Sequence, residues 1–196
     1  MGVKLVSTSG GSVEVVAPAT ASSFTATMPA GTGTVAVNGV NGVLVSGTSQ
    51  TSTSGTSVDF TGIPSWAKRV TILWNGVSTS GASSPLVQLG TSGGVVTTGY
   101  GGTGSLIAAT VTSQNFTTGF GERSQDSAAV RSGLWFIANF SGNIWICSGT
   151  LGRSDGANTS VTGGTVTLSG ALDRVRITTL NGTDTFDAGS INIMYE

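Results

Sequence analysis

The chain has 196 residues, of which 88 are Gly, Ser or Thr, only 17 are charged and none is histidine; its net charge is −1. Glycine is the poorest helix former after proline, and Ser and Thr favour caps, turns and strands, so the composition excludes a helical bundle and an α/β enzyme with long crossover helices. Without histidine there is no Ser-His-Asp triad, no Cys-His pair and no histidine-ligated zinc or iron, and neither a cofactor nor a metal is expected.

In chain order, residues 1–45 hold short stretches that alternate apolar and small polar side chains: Ser12 to Val16, Ser23 to Met28 and Thr34 to Val37. Period-2 alternation predicts half-buried strands, and Pro18, Pro29, Asn38-Gly39 and Asn41-Gly42 mark turns between them. The expectation is a small β-rich module that gains stability if copies from neighbouring chains pack or intertwine. Residues 46–57 are Ser/Thr-rich with no apolar side chain and read as a linker. From 58 to 196 the chain is more apolar and carries all four tryptophans. Strands are predicted over Val70–Trp74, Leu86–Leu89, Leu106–Val111, Asn115–Phe120, Leu134–Phe140, Ile144–Cys147, Val161–Leu168, Val175–Leu180 and Ser190–Tyr195. Ser141-Gly142-Asn143 is predicted to close a hairpin. Only Pro64–Ala67 and Gln125–Val130 suit a helical turn. Strands of this spacing predict an all-β fold, a jelly-roll-like antiparallel β-sandwich over 58–196.

Few motifs carry chemistry. Gly99 to Gly104 matches G-x-G-x-x-G, but so glycine-rich a chain yields about one such match by chance, and no helix follows it. It reads as a turn presenting Tyr100 at a loop tip. Cys147 reads as a small buried strand residue, Trp74 as core, and Asp184 and Asp187 as turn caps. Glu122, Arg123, Asp126 and Arg131 form the densest charge cluster, a solvated loop of mutually compensating ions or a recognition loop. Residues 15–58 and 70–121 carry no charge at all, which argues against nucleic-acid and polybasic membrane binding. The N-terminus lacks the apolar region of a classical signal peptide, and no apolar run reaches the ~18–20 residues of a membrane helix.

The segment Pro18-Ala19-Thr20-Ala21-Ser22-Ser23-Phe24-Thr25-Ala26-Thr27-Met28-Pro29-Ala30-Gly31-Thr32-Gly33-Thr34-Val35 resembles a short repeat-like module of bacteriophage tail-fibre and minor structural proteins. Val58 to Pro64, Lys68 to Thr71, Val87 to Gly94, Thr97 to Tyr100, Asp173 to Arg176 and Asn181 to Asn192 resemble the C-terminal domain of many tail fibres. The resemblance implies a virion protein, a homotrimer, joined to other tail or head proteins through residues 1–45. Its β-domain would touch a host surface glycan, with no catalytic residue and no membrane insertion. The expected contact residues are Tyr100, Glu122, Arg123, Asp126, Arg131, Arg153 and Asp155. The rival readings are a head-decoration or tail-adaptor protein without receptor contact, a polysaccharide depolymerase using Glu122 and Asp126, and a free lectin.

Overall fold

The computed structural model describes residues 43–124 and 126–196, together with the backbone of 3–6 and 12–15. The chain divides into two units, Met1–Val35 and Ala36–Glu196. In the first, β1 (Val3–Val6) and β2 (Ser12–Val15) form an antiparallel ladder with Val3 opposite Val15 and Val6 opposite Ser12. The strands expected at 23–28 and 34–37 lie outside the described residues.

The second unit is an antiparallel β-sandwich, and its described residues contain no helix. The large sheet is built from β3 (Val45–Ser46), β4 (Gln50–Thr51), β6 (Arg69–Thr79), β9 (Gly101–Ile107), β10 (Thr112–Phe116), β12 (Arg131–Ser141), β13 (Ile144–Arg153), β14 (Thr159–Thr167) and β16 (Phe186–Tyr195). Its strand order is β10-β9-β14-β13-β12-β6-β16-β3, with β4 also on β16. The smaller sheet holds β5 (Val58–Thr61), β7 (Pro85–Thr91), β8 (Gly94–Val95), β11 (Phe120–Gly121) and β15 (Arg174–Thr179), in the order β11-β7-β15-β5 with β8 on β7.

Alternation fixes which face each strand buries. Val70, Ile72 and Trp74 of β6, Trp135 and Ile137 of β12, and Trp145, Cys147 and Leu151 of β13 point inward. They meet Val58 and Phe60 of β5, Val87 and Leu89 of β7, and Val175 and Ile177 of β15 in one continuous apolar cluster. Trp74 and Trp135 pack with ring centroids 5.5 Å apart. Cys147 is 5 % exposed, and burial holds its thiol far above the ordinary range, as suits an inert core residue. Gly142 closes the β12–β13 hairpin at φ +53°, a conformation that glycine adopts without cost.

Three expectations need correction. The single strand expected over Asn115–Phe120 is broken at 117–119, so that Phe116 ends β10 in the large sheet and Phe120 begins β11 in the smaller. The linker expected over 46–57 is built into the sheet. Met194 pairs with Ser46 and Ile191 with Gln50, and Gly47 N–H donates to Ile193 O at 2.7 Å. Ser52 is fully buried, with its hydroxyl donating to Ala188 O at 2.8 Å. A segment without apolar side chains still completes a sheet edge when its backbone and hydroxyls find partners. The strand expected at Leu106–Val111 begins five residues earlier. Gly101–Ile107 forms β9, so the segment expected to be a flexible turn is a central strand. The glycines there serve contact rather than looseness. A Cβ on Gly104 would stand 2.3 Å from Gly121 O, and one on Gly102 would stand 3.0 Å from Gly163 O. Of the two suggested helical turns, each is a single tight turn, closed by Ala67 N–H to Pro64 O (2.9 Å) and by Ala129 N–H to Asp126 O (3.3 Å).

Candidate functional site

The expected contact residues separate by burial. Tyr100 does not stand on a loop tip; it is buried, 4 % exposed, edge-on to Phe120 at 5.1 Å. Its hydroxyl accepts from Leu89 N–H at 2.7 Å and donates to Val96 O at 3.1 Å, and burial pushes its pKa up to about 12. Glu122 and Arg131 are equally sealed. The Nε of Arg131 donates to Glu122, Nη1 to Ala129 O at 3.0 Å and Nη2 to Ser124 Oγ at 2.9 Å, while Ser160 Oγ donates to the other Glu122 oxygen at 2.9 Å. These three residues are therefore withdrawn from the contact surface. Each spends its polar atoms inside the fold, which the desolvation of a buried charge demands. Arg123 is half-buried.

Arg153, Asp126 and Asp155 form a second group beside the first. Arg131 and Arg153 lie directly opposite on β12 and β13, a repulsive placement unless each is countered. Arg153 is countered by Asp126 at 2.8 Å and by Asp155, to which its Nε donates at 3.1 Å. Asp155 also accepts from Val130 N–H at 2.9 Å, and Asp126 from Ala128 N–H at 3.0 Å. The sequence cluster is thus brought together, as ions that fasten the 122–130 loop to the strand ends.

Both aspartates are held below the usual range, Asp155 chiefly by Arg153 and Asp126 chiefly by the Ala128 N–H and then Arg153. A carboxylate with a depressed folded pKa contributes fully above its unfolded value of about 4, and that contribution is lost as pH falls through the folded value. Stability is expected to drop below about pH 4. Asp155→Asn is expected to flatten that drop. Urea midpoints followed down the acid range check this, and an unchanged slope in the variant would refute it.

Among the described residues, an accessible polar patch remains on the outer face of the smaller sheet around Asp59 and Arg176, with Gln88 beside them only 7 % exposed. Asp59 of β5, Arg176 of β15 and Gln88 of β7 stand in one row across three strands. They point outward because Val58 and Phe60, Val175 and Ile177, and Val87 and Leu89 take the inward positions. Arg176 grips Asp59 bidentately, Nε to Oδ1 at 2.7 Å and Nη2 to Oδ2 at 2.9 Å. This holds the guanidinium charged beyond its ordinary range. Gln50 Nε2 donates to Asp59 O at 2.7 Å and Gln88 Nε2 to Thr118 O at 2.8 Å.

A shallow depression flanks each side of the pair. One, of about 310 Å³, is lined by Arg176, Gln88, Thr178 and Asn181 over Leu86 and Leu180. The other, of about 280 Å³, is lined by Asp59, Gln50 and Thr48 beside Tyr195. Tyr195 also packs on Trp66 at 5.7 Å. The face offers a carboxylate, a guanidinium, amides and hydroxyls over aliphatic and aromatic patches, with no net charge from the central pair. It can hydrogen-bond a polyhydroxylated ligand and stack on its apolar side. None of these residues was among those expected from sequence. The signal was a charge at the outward position of an apolar strand, Val58-Asp59-Phe60 and Val175-Arg176-Ile177. No protein-family model, curated protein or solved structure matches the chain.

Proposed function

We propose that the chain is a virion structural protein of the tail-fibre type, a homotrimer joined to other virion proteins through residues 1–45, that attaches to a host surface glycan. The observation that carries the attachment is the accessible Asp59–Arg176 pair with its two flanking depressions. A planar guanidinium beside a carboxylate matches the alternating donors and acceptors of vicinal sugar hydroxyls. Shallow sites bind weakly, and three on one trimer convert weak affinity into avidity. The second reading, a head-decoration or tail-adaptor protein, draws support from the nearly uncharged outer face of the large sheet, with Leu134, Phe136 and Ile146 exposed on it, which suits burial against protein. Localisation on the particle separates the two. The depolymerase reading loses Glu122, which is sealed and paired with Arg131.

The test is binding of the full chain to host cells and to their isolated surface polysaccharide. Arg176→Ala is expected to weaken binding at least about ten-fold. Its stability should change by no more than about 1 kcal/mol, since the pair is 39 % and 35 % exposed. Equal binding by the variant, or no binding by the wild-type chain, would overturn the reading.

A further inference from the structure

The outer face of the large sheet has the opposite character to that of the smaller sheet. One row of laterally paired residues runs Asn192, Leu73, Leu134, Thr150, Val161, Ser105 and Ser113 across β16, β6, β12, β13, β14, β9 and β10. The next runs Met194, Thr71, Phe136, Ser148, Gly163, Thr103 and Asn115. A third runs Arg69, Ala138, Ile146, Thr165 and Gly101. Leu134, Phe136 and Ile146 are each 43 % exposed and Val161 38 %. The only ion in the three rows is Arg69, at one end and paired with Glu196.

We propose that this face packs against a second copy of the same chain. Three features select that occupant. The first is charge. A partner bearing ions would strand them against a face with nothing to answer them, whereas a copy brings the same uncharged surface.

The second is area. β12 and β13 are 11 and 10 residues long. At ~3.3 Å per residue and ~4.8 Å between strands, the eight-strand span gives on the order of 800 Å² after allowing for the shorter outer strands, about what each partner of a stable dimer contributes.

The third is relief. Phe136, Leu134 and Ile146 are bumps, while Ser148, Gly163 and Ala138 on neighbouring positions are hollows. Sheets packing face to face interdigitate such relief at ~10 Å. The inference rests on this face alone and depends neither on the glycan site nor on the number of copies in a particle.

The test is the mass of the full chain in solution by sedimentation, with Phe136→Lys and Ile146→Lys as variants. The wild type is expected to run as two or more copies. Each variant is expected to weaken association at least about ten-fold while keeping its β-sheet circular dichroism. Ser148→Arg, exposed in the middle of the same face, replaces either variant should it unfold. A monomeric wild type, or an oligomer whose mass is unchanged in the folded variants, would overturn the proposal. A chain that oligomerises through this face but binds no host polysaccharide would overturn the glycan reading alone. One that binds polysaccharide as a monomer would overturn this proposal and the homotrimer, and leave the glycan reading standing.

Discussion

Arg131→Met is expected to cost about 3–5 kcal/mol of folding stability, the range for removing one partner of a buried ion pair. Arg131 is fully buried and Glu122 is 1 % exposed. The substitution leaves the Glu122 carboxylate in the interior with Ser160 Oγ as its remaining side-chain donor, and it strands Ala129 O and Ser124 Oγ, which the guanidinium now serves. The loop from Glu122 to Val130 would lose its guanidinium anchor, keeping the Arg153 ion pairs and the Ser84 Oγ to Ser124 O hydrogen bond. The double substitution Glu122→Leu with Arg131→Met is expected to recover most of the loss, because it removes the desolvated charge along with its partner. Equilibrium urea unfolding of the two variants, at one protein concentration, checks both statements. A cost below about 1 kcal/mol for Arg131→Met would mean that water reaches Glu122.

The same pair shows where the sequence could be read and where it could not. The fold class was legible, because alternation survives in the strands at the heart of the large sheet: Val70-Thr71-Ile72-Leu73-Trp74, Trp135 with Ile137, and Ile191 with Ile193. Glycine-rich β9 was not legible. Its glycines are required by the approach of Gly121 and Gly163, backbone that lies far off in the chain. The edge formed by Val45 to Thr51 was hidden for a related reason, since its partners are backbone groups of β16 and it has no apolar pattern of its own.

The charge cluster was visible as a cluster, but its side of the surface was not. Sequence spacing puts Glu122, Asp126 and Arg131 near one another whether they face water or the interior. Burial is decided by Ser160 and Arg153, which arrive from other strands. Asp59 and Arg176 were missed for the converse reason. They are 117 positions apart and meet only through the β5–β15 register.

Gly149→Ala is the second substitution expected to be costly, about 3 kcal/mol, at the upper end of overpacking effects. Gly149 sits on β13 opposite Trp135, and a Cβ there would stand 2.1 Å from Trp135 Cδ1 and 2.4 Å from Cγ. The indole has nowhere to retreat, since Trp135 is 1 % exposed and its other neighbour is the Trp74 ring at 5.5 Å. Gly149 has no left-handed backbone, so the penalty is steric and belongs to the pair. In a Trp135→Leu background, already weakened by a smaller core side chain, the same Gly149→Ala step should cost less. Gly152→Ala, three residues along the same strand, is the control. Its Cβ would meet nothing closer than Ser132 O at 4.0 Å, and it is expected to be neutral or slightly stabilising through the unfolded chain.

If Gly149→Ala proved as harmless as Gly152→Ala, the tilted Trp74–Trp135 pair would have slack. If it proves costly, displacement of Trp135 should also disturb Leu134 and Phe136, its neighbours on the opposite face of β12. A core substitution would then weaken association of the chain without touching the proposed interface.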